Sequence, residues 1–176
     1  MSNLTVRIPG PEIDTAKFIR LMYPRIDVPS EFDYPAERLL KLRGILSAEE
    51  ICTPNNRDHR GERMQYVIKR GLTTLTTIGC LTGFESHVRY YSTLGSHDSV
   101  EAAVYPYDDH SGPFSKGGDS GSLIVDALGK FIALLNGGTG LSDSSDITFG
   151  SPMYWLWEII KAQFPGANLY FEDDDN

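Results

Sequence analysis

From Met64 onward the chain breaks into short segments rich in Thr, Val, Ile and Tyr, each bounded by Gly, Asp or Ser, and this rhythm constrains the fold more than any other feature. Seven such segments, at 65–69, 74–81, 87–92, 100–105, 122–126, 131–135 and 147–149, fall within roughly ninety residues. They read as a meander of strands, which implies a barrel or a sandwich. The clearest hairpin joins Leu123-Ile124-Val125 to Phe131-Ile132-Ala133-Leu134-Leu135 through residues 126–130.

The flanks read differently. Before the strands, Phe18, Leu21 and Met22 fall at helical spacing until Tyr23-Pro24 ends the run. Residues 38–46 suit helix or strand, Ser47-Ala48-Glu49-Glu50 is a capping box for a short helix, and 53–63 is a polar loop. After the strands, Ser151 is expected to cap a last helix with Pro152 in its first position and Met153, Leu156, Ile160 and Phe164 on one face. Pro165-Gly166 stops that helix, and Trp155 and Trp157 are expected to bury against the strands, as Tyr90 and Tyr91 are to pack within them. The expected division is a mixed N-terminal segment or linker over 1–63, a strand domain with its helix over 64–168, and an acidic tail over 169–176.

Composition narrows the function. The 176 residues are 40% hydrophobic and 11% aromatic, enough for a packed core. Sixteen Lys and Arg against 24 Asp and Glu leave a net charge of −8, which argues against nucleic acid as a partner. No apolar run is long enough for a membrane span, and residues 1–10 do not read as a secretion signal. Cys52 and Cys80 belong to no metal-ligand spacing, so no metal, no cofactor and no disulfide framework are expected. A reducing cytoplasmic or otherwise intracellular compartment follows as the expectation.

One constellation carries chemistry. Lys116-Gly117-Gly118-Asp119-Ser120-Gly121-Ser122 is a tight turn that displays a serine hydroxyl between glycines, which allow positive φ and close approach of a substrate. Amides around that serine can point at a carbonyl oxygen as charge develops on it. The same tetrapeptide also makes an ordinary hairpin turn.

The flanking residues shift the balance away from a chance turn in an unrelated β domain. GGDSGS resembles the nucleophile loop of trypsin-like serine peptidases. LIVDALGKFIALLNGGTG resembles the hairpin that follows it, and DITFGSPMYWLWEIIKAQF the last barrel strand and C-terminal helix. VIKRGLTTLTTIGCLTG resembles the strands that open the second barrel, departing from the commoner pattern in having Leu72 and Leu75 where Arg and Gly are frequent. The stretch, about residues 64 to 165, is also similar to the C-terminal part of fungal proteins with a trypsin-like region. The resemblance implies a mainly β fold: one six-stranded antiparallel barrel with a C-terminal helix. It makes Ser120 the nucleophile, with the amides of Gly118 and Ser120 as oxyanion donors and Asp119 as support for the loop. Asn136, Gly137 and Gly138 would pair with an extended substrate, and Phe114 would stand at the floor of the specificity pocket, without the acidic residue that selects Lys or Arg.

The resemblance also implies a histidine and an aspartate from a first barrel, which residues 1–63 are too short to encode. None of His59, His87, His97 and His110 has the family's context, and Asp108, Asp109, Asp143 and Asp146 read as turn formers. Nothing before Met64 resembles an N-terminus released by activating cleavage. The expectation is the nucleophile-bearing half of a peptidase, incomplete in this chain, with a polypeptide substrate or a complementary first-barrel segment as partner. The alternative is an inactive pseudoprotease or a truncated binding domain. A barrel alone would expose an apolar face and self-associate.

Overall fold

The computed structural model describes residues 5–7, 15–23, 36–58, 60–140 and 147–169. The N-terminal part holds β1 (Thr5–Arg7), α1 (Thr15–Met22), β2 (Leu39–Lys41), β3 (Gly44–Ile45), α2 (Ala48–Cys52) and β4 (Asn56–Arg57). The helical spacing of Phe18 and Met22 does what it predicts, since both side chains are buried. The capping box closes α2 in both directions: Ser47 N–H donates to Glu50 Oε2 at 2.8 Å, and Glu50 N–H to Ser47 Oγ at 3.2 Å. The ambiguous 38–46 stretch becomes two short strands, and the polar loop after it carries β4.

Next come β5 (Arg63–Arg70), β6 (Thr76–Ser92), β7 (Gly95–Pro106), β8 (Leu123–Asp126), β9 (Lys130–Thr139), β10 (Ile147–Pro152) and α3 (Met153–Gln163). The pairings β5–β6, β6–β7, β7–β10, β10–β9, β9–β8 and β8–β5 are all antiparallel and close a ring of six strands. The expected mainly β barrel with a C-terminal helix is therefore the fold. Closure leaves no free lateral edge on the ring itself, while β3 adds in parallel to β9 and β4 antiparallel to β5.

Alternation fills two cores. Val67, Leu81, Val104, Phe114, Ile124 and Ile132 belong to the barrel interior. Tyr66, Ile68, Ile78 and Cys80 point the other way and are covered by Phe18, Met22, Leu40 and Leu42, so the N-terminal segment roofs one outer face of the barrel.

Four expectations are corrected. Segments 74–81 and 87–92 are one strand, β6, because the Gly83 region is not a break: with φ +84°, Gly83 lies in a register shift between Leu81 and Glu85. The last helix starts at Met153 with no side-chain cap. Ser151 belongs to β10, and its hydroxyl accepts instead from Asn136 Nδ2 at 3.0 Å. On that helix Met153 is buried and Trp157 packs partly, but Trp155 is 53% exposed and Phe164 67%. Tyr91, on the far part of β6, is 80% exposed rather than packed.

Candidate active site

The loop bearing Ser120 is held by the turn that joins β5 to β6. Gly71 N–H donates to Leu75 O at 2.9 Å, closing that turn. Leu75 takes φ +56°, a left-handed conformation a side chain disfavours, at the position where the resembled pattern has glycine. The turn wraps the Asp119 carboxylate, which is fully buried. Oδ1 accepts from Thr73 N–H at 2.7 Å and Thr74 N–H at 3.2 Å. Oδ2 accepts from Thr74 Oγ1 at 2.6 Å and Lys116 N–H at 3.1 Å. A Cβ at Gly71 would collide with this carboxylate, so only glycine lets the two segments meet so closely.

Asp119 also has a cationic partner that the sequence reading missed. Lys69 Nζ lies 3.2 Å from Oδ2, and both side chains are fully buried. Its ammonium also donates to Thr74 Oγ1 and to Leu75 O, and stands 5.6 Å from the Phe114 ring centroid. Burial alone would raise the Asp119 pKa, but the Thr74 hydroxyl and the amides of Lys116, Thr73 and Thr74 outweigh it, holding the carboxyl well below the ordinary range. Burial pulls the Lys69 ammonium below its usual range, and the charge of Asp119 opposes that pull. One signal was available in the sequence: Lys69 continues the inward alternation of Val67, and a charge on that side of a strand requires a partner.

The rest of the loop is equally determined. Gly118 and Gly121 have φ of +98° and +83°, so the chain reverses on either side of Asp119-Ser120. Thr73 Oγ1 donates to Gly117 O at 2.8 Å, and a Cβ at Gly118 would strike that hydroxyl. Ser122 Oγ donates to Asp119 O at 2.6 Å, and Gly121 N–H to Leu135 O at 2.7 Å, which ties the loop to β9. Ser120 itself is exposed. Among the described residues, the amides of Gly118 and Ser120 and the Ser120 hydroxyl form no hydrogen bond.

Phe114 lies in the barrel interior at 1% exposure, against Gly79, with its carbonyl accepting from Thr77 Oγ1 at 2.7 Å. Next to it, Ser115 and Thr148 share a buried hydroxyl contact of 2.7 Å that joins the loop to β10. Thr148 pairs with Gly138 across β10–β9, so Asn136, Gly137 and Gly138 run beside the loop. Their edge away from β10 has no strand partner among the described residues, since β8 ends at Leu123 opposite Leu134.

The remaining candidates lie elsewhere. His87 and His97 are on β6 and β7. His110 donates its N–H to Asp108 Oδ1 at 2.9 Å, in a turn beside a cavity of about 330 Å³ that α1 helps to line. Asp108 is thus a turn former as expected, and His59, Asp143 and Asp146 lie outside the described residues. Both cysteines are free, and burial pushes the Cys80 thiol up to about 12, so it is no nucleophile at neutral pH. Among the described residues no group of His, Cys, Asp or Glu can hold a metal ion, and no helix is long and apolar enough to cross a membrane.

No protein-family model and no curated protein matches the sequence. Among solved structures the chain is similar to the chymotrypsin of Cellulomonas bogoriensis, at 18% identity and TM-score 0.44, covering 74% of this chain and 57% of that one. It is similar to protease A of Thermobifida fusca, at 20% identity and TM-score 0.47, covering 73% and 56%. It is also similar to an HtrA-type protease, AlgW, with a tripeptide, at 18% identity and TM-score 0.39, covering 75% and 38%. These neighbours are chymotrypsin-fold serine proteases, and the chain spans little more than half their length or less.

Proposed function

We propose that the barrel is the nucleophile-bearing half of a serine peptidase. It binds an extended polypeptide along Asn136, Gly137 and Gly138 and presents Ser120 for acyl transfer, with the base supplied from outside the described residues. The observation that carries this reading is the exposed Ser120 hydroxyl beside the unoccupied amides of Gly118 and Ser120, on a loop anchored through buried Asp119. Ser120 Oγ attacks the peptide carbonyl, and the resulting oxyanion rests on those two amides. The base takes the hydroxyl proton and returns it to the leaving amine, and water then hydrolyses the ester. The resemblance puts Phe114 at the floor of the specificity pocket, where it offers no acidic group, so cleavage after Lys or Arg is not expected.

A second reading, a barrel that binds peptides without cutting them, is favoured by one observation. No described histidine is hydrogen-bonded to Ser120. Fluorophosphonate labelling separates the two. The folded chain alone should label slowly, and added imidazole should speed labelling of the wild type but not of Ser120→Ala. Blocked extended peptides should bind both proteins alike. Fast labelling without imidazole would show that the chain carries its own base, and imidazole without effect would favour the binding-only barrel. Folded protein that neither labels nor binds peptide would overturn the peptidase reading.

A further inference from the structure

The hairpin of β6 and β7 runs well beyond the barrel. Between Glu85 and Ser92, β6 pairs only with β7, and the tip residue Leu94 is 98% exposed. Directly opposed residues share a face, so Ser86, Val88 and Tyr90 lie on the same side as their partners Glu101, Ser99 and His97. The other side, with His87, Arg89, Tyr91 and Asp98, is open to solvent. The first side continues onto the barrel: Glu101 alternates with Ala103, which pairs with Phe149, which pairs with Gly137. Tyr90 stacks on His97 with ring centroids 5.0 Å apart. Its hydroxyl lies 3.9 Å from where a Cβ of Gly137 would stand, and no other described atom is within 4 Å of that point.

Glu101 is the anomaly on this surface. It is 3% exposed, and among the described residues its buried Oε2 has no hydrogen-bond partner; the same holds for the Ser99 hydroxyl on the same side. Buried carboxylate oxygens are seldom left without a donor. Burial, and after it the negative charge of Glu101, push the Tyr90 phenol above its ordinary range. Tyr90 therefore keeps its proton at neutral pH and offers a hydroxyl and a ring face beside the carboxylate.

We infer that Glu101, Tyr90 and Ser99 form a subsite for a cationic side chain, lysine or arginine, of a peptide lying along Asn136, Gly137 and Gly138. The inference rests on the reading of those residues as the peptide-pairing strand. The cation supplies the donor that Oε2 lacks, the Tyr90 ring covers it, and Gly137 presents no side chain to block its path. The subsite is separate from the specificity pocket at Phe114, so the basic residue it selects is not the one at the scissile bond.

Two probes test this on the full chain. The first is a set of blocked norleucine-rich hexapeptides in which lysine replaces norleucine one position at a time, with binding measured by calorimetry. One lysine position should tighten binding by about tenfold or more. Glu101→Gln should erase that gain without changing norleucine binding, and Glu101→Asp should keep part of it. The second is n-butylammonium, which should shift the Glu101 carboxyl carbon resonance whether or not peptides bind. A lysine preference that is absent, or that survives in Glu101→Gln, overturns the subsite even if the peptides bind. If n-butylammonium shifts Glu101 while no hexapeptide binds, the cation site stands and the peptide-binding reading falls. If it leaves Glu101 unmoved, the subsite falls.

Discussion

Lys69 and Asp119 are fully buried charges, and such a pair is held more by what its loss would cost than by its net worth. Removing one partner leaves the other uncompensated, so Lys69→Met should destabilise the fold by about 3–5 kcal/mol in denaturant unfolding. Lys69→Met combined with Asp119→Asn should recover much of that loss, because neither charge is then stranded. Asp119 binds its proton less readily in the folded chain than in the unfolded one. Its contribution is therefore complete above about pH 4 and is lost as pH falls below that, and Asp119→Asn should flatten this acid limb. Asp119 was legible in the sequence as loop support from the company of Ser120. Thr73 and Thr74 were not, nor was the identity of the partner Lys69 requires, because that partner stands 45 or more positions along the chain, a distance no local pattern spans.

At the scale of elements, the strands declared themselves through composition: the Val-, Ile-, Thr- and Tyr-rich segments 65–69 and 100–105 lie within β5 and β7. The same signal marked 87–92 on β6 but not residues 82–86 or 95–99, where Gly, Ser, Asp and Glu interrupt it. A ribbon of two strands is only marginally stable in water without further packing. Amide exchange at Val88 and Val100 should therefore be faster by orders of magnitude than at Val67 and Ile68, which belong to the closed ring. Equal protection in both regions would mean that the ribbon does not open separately. The last helix shows the same limit: Ser151 and Pro152 carry the usual marks of a helix start, yet pairing with Leu134 and Ala133 of β9 keeps both in the strand.

Over the whole molecule, the fold resolves into a closed ring and a cover made from the residues before it. The sequence indicated the ring but not the cover, since Phe18 and Leu40 find their partners only once the strands exist. Phe18 is fully buried beneath α1. If cover and ring form one cooperative unit, Phe18→Ala should lower a single unfolding transition by about 3–5 kcal/mol; a separate early transition would show that the cover detaches alone. Leu72, Phe84 and Phe164 are among the large apolar side chains left at the surface.

The counter-ion of Asp119 sits on β5, one turn away from the loop it steadies. An internal lysine then holds this carboxylate, on the peptidase reading, without calling on a chain terminus. On the peptidase reading, timing and restraint must come from elsewhere: from when, and whether, a proton acceptor is brought alongside a hydroxyl that is already in place.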